Sequence, residues 1–260
     1  MLSFERHVSD VFGILNSAPA GQTVLQFQSL PSANQFRRLY AMVDRQLRPG
    51  ARVLDWGCGN GHFAFYLARQ GFQVTAYAFD PEPDIFALLE PAERSRIDYV
   101  RGSPDDPHAI PFPDASFDGV FSVGVLEHVR ETGGTEATSL QEIRRVLRPG
   151  GAFICYHLPN RYSYIEAISR AIHGPQHPDR RIYHDWRFDA DQIRLLCRDA
   201  GLAITELQRY GALPRNIFGR LPATLRESRG LATAVNVVDL LMERLISPVA
   251  QNYAFVARAA

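Results

Sequence analysis

A glycine-rich turn is the feature of this sequence that most directly indicates chemistry. The segment Asp55-Trp56-Gly57-Cys58-Gly59-Asn60-Gly61 follows a predicted strand, Arg52–Asp55, and precedes a predicted helix, Phe63–Gln70. Glycines in such a turn let the backbone approach a ligand with no Cβ in the way, and the start of the helix offers free N–H groups. The turn is therefore predicted to bind a nucleotide-like ligand. It does not match the dinucleotide fingerprint, which needs glycine or alanine where this chain has His62.

Two histidines at the ends of later predicted strands are candidates for proton transfer. His128 follows Glu127 directly after the fourth predicted strand, and His157 lies at the end of the fifth. The unperturbed pKa of histidine lies closest to neutral, which suits both candidate catalytic residues to act as a general base. Two alternatives stay open: His128 shapes the site without taking a proton, or His157 is a hydrogen-bonded core histidine. Because Tyr156 and His157 alternate along a strand, only one of them is expected to face the site.

A loop over residues 173–188 is rich in imidazole, guanidinium and aromatic groups. Its arginines are suited to a carboxylate or phosphate on a substrate, although a solvated loop face needs no such role. Its histidines suggest a metal site, but proline and glycine between them break the i, i+4 spacing that aligns ligands on a helix. We therefore expect no metal. The residues concerned are Arg180, Arg181, Arg187, His173, His177 and His184.

The elements that must position these residues alternate between strand and helix. Short apolar or β-branched runs end in Gly, Asp or Pro and are followed by helical patterns, which is typical of βαβ units and a mainly parallel sheet. After the first strand, six more are predicted at Gln73–Phe79, Ile97–Arg101, Asp118–Val123, Ala152–Leu158, Leu202–Leu207 and Asn252–Ala257. Further helices are expected at about Thr138–Leu147 and, with Asp189 as N-cap, up to Ala200.

Two segments do not fit this alternation. Residues 1–48 form an N-terminal segment with a helix predicted over Phe36–Leu47, and the remainder, 49–260, is predicted to be one domain. Residues 212–247 stand where neighbouring strands are normally joined by a short turn, and we expect a helical insertion that acts as a cap or lid.

Within this insertion, Ala234–Ile246 is amphipathic. We expect its apolar face to pack on the domain, with a dimer contact, or contact with an apolar acceptor or bilayer surface, as the alternatives. The apolar positions are Ala234, Val235, Val238, Leu241, Met242 and Leu245, and the polar positions are Asn236, Asp239 and Glu243.

Length, composition and charge exclude several classes of protein. The 260 residues are 46% hydrophobic and 22% charged, which is typical of a packed globular chain and not of a disordered or coiled-coil protein. The 28 basic and 28 acidic side chains balance, so no net field favours nucleic acid or an anionic membrane. Three cysteines match neither a disulfide framework nor a zinc motif, and no stretch is apolar enough to span a bilayer. We expect a cytoplasmic protein, monomeric or homodimeric, with at most peripheral membrane contact.

Four motifs, taken in order, resemble those of the class I S-adenosylmethionine-dependent methyltransferases. The strand and glycine turn over residues 53–61 are similar to the first motif of that family. Ile110–Asp118 resembles the approach to the family's fourth strand, Val125–Val129 the segment after it, and Leu147–Gly151 the turn into the fifth. The segment His184-Asp185-Trp186 is similar to part of the acceptor-side insertion in small-molecule O-methyltransferases of ubiquinone biosynthesis.

The resemblance implies a fold, a cofactor and a set of contacts. The fold is a Rossmann-like α/β sheet of seven strands, mainly parallel with the last antiparallel, and with helices on both faces. The cofactor is S-adenosylmethionine, lying across the carboxyl ends of the first strands. Gly61 is either a further contact or a packing position. The residues carried over are Asp55, Gly57, Cys58 and Gly59 beside the methionyl part, Phe79 and Asp80 after the second strand, Asp106 and Pro107 near the adenine, and Val123 and Gly124 beneath the sulfonium.

The second strand departs from the family pattern. The family usually ends this strand with an acid that accepts both ribose hydroxyls, and the corresponding position here is Ala78, two residues before Asp80. We favour a longer or bulged strand that brings Asp80 to the ribose, because a carboxylate can accept from both hydroxyls of a diol. The alternative is that the ribose is held differently and Asp80 caps the helix that follows Pro83.

Together these features predict an enzyme that transfers a methyl group from S-adenosylmethionine to a small-molecule acceptor, at oxygen. Two alternatives remain: a methyltransferase-like binding or scaffold protein, favoured by Ala78, and an NAD(P)-dependent oxidoreductase, disfavoured by His62. The sequence leaves the identity of the acceptor open, since one fold serves many substrates. The candidate acceptor-binding residues are Tyr156, His184, Trp186 and Arg187.

Overall fold

The fold is built on one sheet of seven strands in a computed structural model that describes residues 2–17, 24–103, 106, 109–174 and 184–259. The strand order is β3-β2-β1-β4-β5-β7-β6, and β7 runs antiparallel to both of its neighbours. The predicted fold class is therefore confirmed. The strands are β1 (Arg52–Trp56), β2 (Gln73–Ala78), β3 (Ile97–Arg101), β4 (Phe117–Val123), β5 (Leu147–Pro159), β6 (Leu202–Tyr210) and β7 (Asn252–Ala259).

Helices connect the strands and also make up the N-terminal segment and the insertion, as predicted. Short 3₁₀ segments, such as Asp84–Leu88 and Leu126–Thr132, lie between them. The α-helices of the described chain are α1 (Leu2–Ser17), α2 (Leu30–Ala33), α3 (Arg37–Gln46), α4 (His62–Arg69), α5 (Pro91–Arg94), α6 (Glu136–Val146), α7 (Tyr164–His173), α8 (Ala190–Asp199), α9 (Ala223–Arg226) and α10 (Arg229–Ile246).

The chain divides into two compact units, of which the first comprises Met1–Arg101 and Leu213–Leu241. Its strands β1–β3 pair in parallel. Val53 and Leu54 in β1 are fully buried, as expected for a parallel strand covered on both faces. Helix α4 buries every residue from Phe63 to Ala68, and Gly71, at φ +87°, follows it and lets the chain turn back into β2.

The helical insertion in this unit has its two faces arranged opposite to the prediction. Asn236 and Asp239 are 2% exposed, whereas Val238 and Leu241 are 47% and 52% exposed. Arg215 donates to Oδ2 of Asp239 and to Oδ1 of Asn236, each at 2.8 Å, so the buried polar groups are paired. The expectation that the apolar face of α10 packs on the domain is therefore wrong for Val238 and Leu241, although Val235 of that face is buried. A hydrogen-bonded polar network holds the other face inside.

The second unit comprises Gly102–Ala212 and Met242–Ala260 and contains β4–β7 and α6–α8. The carboxylate of Asp189 accepts from the N–H groups of Asp191 and Gln192, which confirms the predicted N-cap of α8. Strand β5 is longer than predicted and includes Leu147–Gly151, where its pairing with β4 shifts register.

Candidate functional site

The glycine turn in the first unit adopts the conformation that glycine is needed for. Gly57 and Gly59 have φ of +75° and +49°. The N–H groups of Gly57 and Cys58 both donate to the carbonyl of Tyr77 in β2, at 2.8 and 3.0 Å. A Cβ built on Gly59 would meet no atom closer than the Gly57 carbonyl oxygen, 4.0 Å away. The turn is thus fixed to the sheet and leaves open space beside Gly59.

Gly61 has a packing reason for being glycine. A Cβ at this position would lie 2.7 Å from a ring carbon of Phe86 and 2.9 Å from Cβ of Pro83. Of the two roles left open for Gly61 by the sequence, packing is the one observed, and contact with a cofactor stays a prediction.

Asp55 places a buried carboxyl group at the beginning of the turn. The side chain is 1% exposed and accepts a hydrogen bond from the Ala64 N–H, while Oδ2 has no hydrogen-bond partner among the described residues. Burial raises the pKa of Asp55 to about 7. A buried oxygen without a partner, at the start of a glycine turn, fits a ligand that carries a cationic amino group.

Asp80 lies two residues beyond the end of β2, which stops at Ala78. Strand β2 ends at Ala78 and pairs with β1 and β3 in unbroken register, so the expected extension or bulge is absent from this described strand. The capping alternative is also wrong, because the helix that starts at Asp84 has Pro83 as N-cap and no side-chain cap bond. The charge of Asp80, after burial and Asp55, helps to raise the pKa of Cys58. Asp80 is therefore close to the turn, and its ribose role stays a prediction.

The remaining predicted cofactor residues fall in different places. The Phe79 carbonyl accepts from Nε of Arg101 at 2.9 Å, beside Asp80 in the first unit. In the second unit, Val123 ends β4, and Gly124 follows with φ +72°. Asp106 is exposed and accepts from the Ala109 N–H, and Pro107 lies outside the described residues.

The end of β5 contradicts the expected alternation of Tyr156 and His157. Their rings are 4.7 Å apart, and both contact the ring of Tyr210. The reason is that His157 has φ +67° and that the pairing of β5 with β7 shifts register between Cys155 and Leu158. A left-handed conformation at a residue other than glycine is strained, and such strain is found most often at functional positions.

Tyr210 holds His157 in this conformation. Its hydroxyl oxygen accepts from the backbone N–H of His157 at 2.9 Å and lies 2.8 Å from Nδ1 of the same residue. The candidate base His157 is therefore fixed by a neutral hydroxyl group, which supplies no counter-charge for a protonated ring.

A second cluster in the same unit brings together Glu127, His128 and His184. One carboxylate oxygen and one nitrogen from each ring lie within 4.8 Å of one another. These are the described residues best placed to share a cation, and the expectation of no metal stays a prediction. Glu127 is 4% exposed, its Oε2 has no partner in the described part of the chain, and burial raises its pKa to about 7.

Each histidine of this cluster is oriented by a carboxylate. Nδ1 of His128 lies 2.9 Å from Oε1 of Glu131, and Nδ1 of His184 lies 2.9 Å from Oε1 of Glu166. Burial works against the charged form of His184, but the hydrogen bond and charge of Glu166 raise its pKa above the ordinary value. A Cβ on Gly124 would lie 3.8 Å from Oε1 of Glu127, so the cluster adjoins the end of β4.

The other predicted acceptor residues have partners of their own. The guanidinium of Arg130 lies 4.1 Å over the ring of Trp186 and donates to Glu136 at 2.8 Å, so one face of that ring is covered. Arg187 donates to the carbonyl of Arg161 at 3.4 Å, and burial lowers its pKa. Residues 175–183 of the predicted loop, which include His177, Arg180 and Arg181, lie outside the described residues.

Sequence reasoning missed two residues of these clusters, Glu166 and Tyr210. Ser163 caps α7 and Glu166 stands three residues later, which is a capping-box spacing. That spacing indicates a helix start, but here the carboxylate bonds His184 instead of turning back on its own helix. No sequence signal links Tyr210 to His157, since the contact depends on how β6 and β5 pair with β7.

The strand order of the sheet and the glycine turn between β1 and α4 are those of a class I methyltransferase fold. Comparisons with known proteins agree. A methyltransferase domain model matches residues 54–155. The chain is 38% identical over 172 residues to a ubiquinone biosynthesis O-methyltransferase of Xanthomonas campestris pv. campestris, covering 66% of this chain and 68% of the relative. A Vibrio cholerae enzyme of the same name is 32% identical over 145 residues, covering 55% and 57%.

Solved structures support the same fold. The 1,6-didemethyltoxoflavin-N1-methyltransferase of Burkholderia thailandensis, with S-adenosylhomocysteine bound, superposes with a TM-score of 0.53 at 22% identity, over 97% of this chain and 87% of that one. The chain belongs to the S-adenosylmethionine-dependent methyltransferase family and uses that cofactor. In the described part of the chain, no helix has the length and apolar character that crossing a membrane requires.

Proposed function

We propose that this methyltransferase acts on a hydroxyl oxygen of a small-molecule acceptor. The observation that carries the proposal is the cluster of Glu127, His128 and His184 next to Gly124, with a carboxylate on Nδ1 of each ring. A hydroxyl group must lose its proton during methylation, and groups of this kind are suited to accept it. The ubiquinone biosynthesis O-methyltransferases among the relatives support the choice of oxygen.

We assign cofactor binding in the first unit to Asp55 and the turn from Gly57 to Gly59. The carboxylate of Asp55 would bind the amino group, and the bare backbone at Gly59 would lie beside the methionyl part. Asp80 is the proposed partner of the ribose hydroxyls. When bound, S-adenosylmethionine supplies a methyl group on a positively charged sulfur, so the leaving group is already activated and no covalent enzyme intermediate is needed.

In the second unit, the proposed work of the protein is to orient the acceptor and remove one proton. Tyr156, Trp186 and Arg187 would orient the acceptor, and the imidazole cluster would take the proton from its hydroxyl. The acceptor oxygen's electron pair forms the new bond to the methyl carbon, and the electrons of the broken carbon–sulfur bond stay on sulfur.

The oxidoreductase alternative is disfavoured by the surroundings of His62. This residue occupies the place where a dinucleotide fingerprint needs a small side chain. Its ring lies 5.3 Å from that of Phe27 and 4.7 Å from that of Phe36, and burial lowers its pKa to about 4. The position is thus filled by a packed, neutral imidazole, and the scaffold alternative is disfavoured by the methyltransferase relatives.

The test compares acceptors that differ only in the receiving atom. Purified protein is incubated with S-adenosylmethionine and matched pairs such as a phenol and the corresponding aniline, and the products are analysed by mass spectrometry. We expect methylated products from hydroxyl compounds only, with one S-adenosylhomocysteine formed per product. Methylation of the amines alone, or of protein or nucleic acid substrates alone, would contradict the proposal.

A further inference from the structure

Glu166 and His184 form a carboxylate–imidazole pair with two hydrogen bonds. Oε2 of Glu166 accepts from the backbone N–H of His184 at 3.0 Å, and Oε1 lies 2.9 Å from Nδ1 of the same residue. An ionised carboxylate can only accept hydrogen bonds, so the proton of the neutral ring must be on Nδ1. Nε2 then carries the free electron pair and is the nitrogen that can take up a proton.

The carboxylate of Glu166 is itself held in place by the helix on which it lies. Ser163 is the N-cap of α7 and accepts from the Glu166 N–H at 3.2 Å. The side chain is 5% exposed and stands in the first helical turn, where the helix dipole favours a negative charge. The pair is therefore rigid on the carboxylate side, and its charge is shielded from solvent.

We propose that Glu166 is a positioning residue that holds His184 as the general base of the methyl transfer. This inference rests on the proposed function. The proton of the acceptor hydroxyl passes to Nε2 of His184, and the electron pair left on that oxygen forms the bond to the methyl carbon. The imidazolium that results is balanced by the charge of Glu166, and the proton is released to solvent after the product leaves.

The other two histidines are less well arranged for this role. The partner of His128 is Glu131, whose side chain is 32% exposed, and the His128 side chain is itself 44% exposed, so solvent screens their interaction. Nδ1 of His157 lies 2.8 Å from the hydroxyl of Tyr210, a neutral group that supplies no counter-charge. The imidazolium of His184, by contrast, would be stabilised by a carboxylate that is 5% exposed.

The charged groups that face His184 come from two elements. Glu166 lies on α7, and Glu127, His128 and Glu131 lie on the 3₁₀ segment after β4. The three carboxylates raise the pKa of His184 and outweigh the effect of burial. Glu166→Gln removes the closest carboxylate and is therefore expected to lower the pKa of His184. Glu131→Gln removes a more distant carboxylate and is expected to lower this pKa less.

The first experiment measures the tautomer and the pKa of His184 directly. Protein labelled with ¹⁵N-histidine is titrated by long-range ¹H–¹⁵N NMR, and the His184 signals are assigned with the His184→Gln variant. We expect the Nδ1–H tautomer and a pKa raised above that of an ordinary histidine, and this pKa should fall in Glu166→Gln. A proton on Nε2, or a pKa that Glu166→Gln leaves unchanged, would overturn the proposal whether or not an acceptor has been found.

The second experiment follows the pH dependence of kcat with a hydroxyl acceptor. His184→Gln should lower kcat by about 10²–10⁴-fold, the usual contribution of a general base. Glu166→Gln should lower kcat with little change in KM, and the rising limb of the plot of kcat against pH should shift to lower pH. Glu166→Asp should restore part of the lost rate. If Glu131→Gln shifts the rising limb of this plot and Glu166→Gln does not, the base is His128 and our inference is refuted.

A metal-ion control separates a base from a ligand at the same nitrogen. The protein is dialysed against EDTA and assayed before and after addition of Zn²⁺ or Mg²⁺. We expect full activity without added metal. Activity that returns only with the cation, together with loss of the His184 titration, would also overturn the proposal, because Nε2 would then be bound to the ion.

Discussion

Asp55 illustrates how burial of a single carboxyl group prepares a binding site. Its burial raises the pKa to about 7, and one of its oxygens has no partner in the described structure. Without a ligand, the carboxyl group is therefore only partly ionised at neutral pH. A cationic amino group placed next to Oδ2 would favour the charged form and so compensate for the missing partner.

This environment predicts that cofactor affinity depends on pH. Because a bound cation lowers the pKa of Asp55 from about 7, binding releases a proton below that pH. Affinity should rise about tenfold per pH unit up to pH ~7 and then level off. Calorimetry between pH 5.5 and 7.5 measures the slope. In Asp55→Asn the slope should disappear and binding should weaken, and an unchanged slope would assign the titration to another group.

Gly59 gives a second prediction at the residue scale. Gly59→Ala would place a Cβ in the open space where we expect the cofactor, and it would also strain a residue with φ +49°. Gly50→Ala is a matched control, since Gly50 has φ +89° and a Cβ added there would have no atom within 4 Å, but it lies outside the turn. Both variants should lose stability by about 1 kcal/mol. Only Gly59→Ala should lose S-adenosylmethionine binding, as measured by calorimetry, and equal binding by both variants would place the cofactor elsewhere.

At the scale of the element, α10 shows the limit of an amphipathic pattern. The helical period of the sequence correctly places Val238 and Leu241 on one face and Asn236 and Asp239 on another. It does not indicate which of the two faces is buried. The choice is made by Arg215, which stands more than twenty residues from Asp239 in the chain and pairs with it in the interior. A long-range ion pair of this kind leaves no periodic signal.

The reversed faces of α10 predict unequal effects of neighbouring substitutions. Asp239→Ala leaves Arg215 buried without its counter-charge and should cost about 3–5 kcal/mol of unfolding free energy. Val238→Ser changes an exposed side chain and should cost less than about 0.5 kcal/mol. Urea unfolding compares the two, and the double variant Arg215→Met/Asp239→Ala should recover part of the loss. A larger cost for Val238→Ser than for Asp239→Ala would favour the original expectation.

The elements that carry the site were predictable to different degrees. The turn after β1 was predictable because local backbone chemistry, a strand followed by glycines and a helix, determines it. The pairing of Glu166 with His184 was not, because it joins a helix start to a residue eighteen positions later through side-chain geometry. The paired rings of Tyr156 and His157 were missed for a related reason: strand alternation fails where His157 takes a positive φ.

At the scale of the whole molecule, the alternation of strands and helices was sufficient to predict a mainly parallel sheet. The antiparallel direction of β7 was expected only from the resemblance to the methyltransferases, and the structure confirms it. The lengths of β5 and β6 were underestimated. Strand β5 starts before the predicted turn because Leu147 pairs with Phe117 of β4, and β6 continues to Tyr210 because its last residues pair with β7. Such pairing depends on neighbours that are distant in the chain.

Cofactor binding should stabilise the fold as a whole, and the rise in Tm should depend on which parts of the cofactor a ligand carries. A ligand at one hundred times its Kd stabilises the native state by about 2.7 kcal/mol, which corresponds to a rise in Tm of roughly 5–10 °C for a chain of this size. S-adenosylmethionine should give such a rise, and adenosine a smaller one because it lacks the amino group expected at Asp55. NADH should give none because His62 is packed against Phe27 and Phe36. In Asp55→Asn, the shift with S-adenosylmethionine should fall towards that with adenosine, whose own shift should not change. Stabilisation by NADH that exceeds that by S-adenosylmethionine would mean that the turn serves a dinucleotide after all.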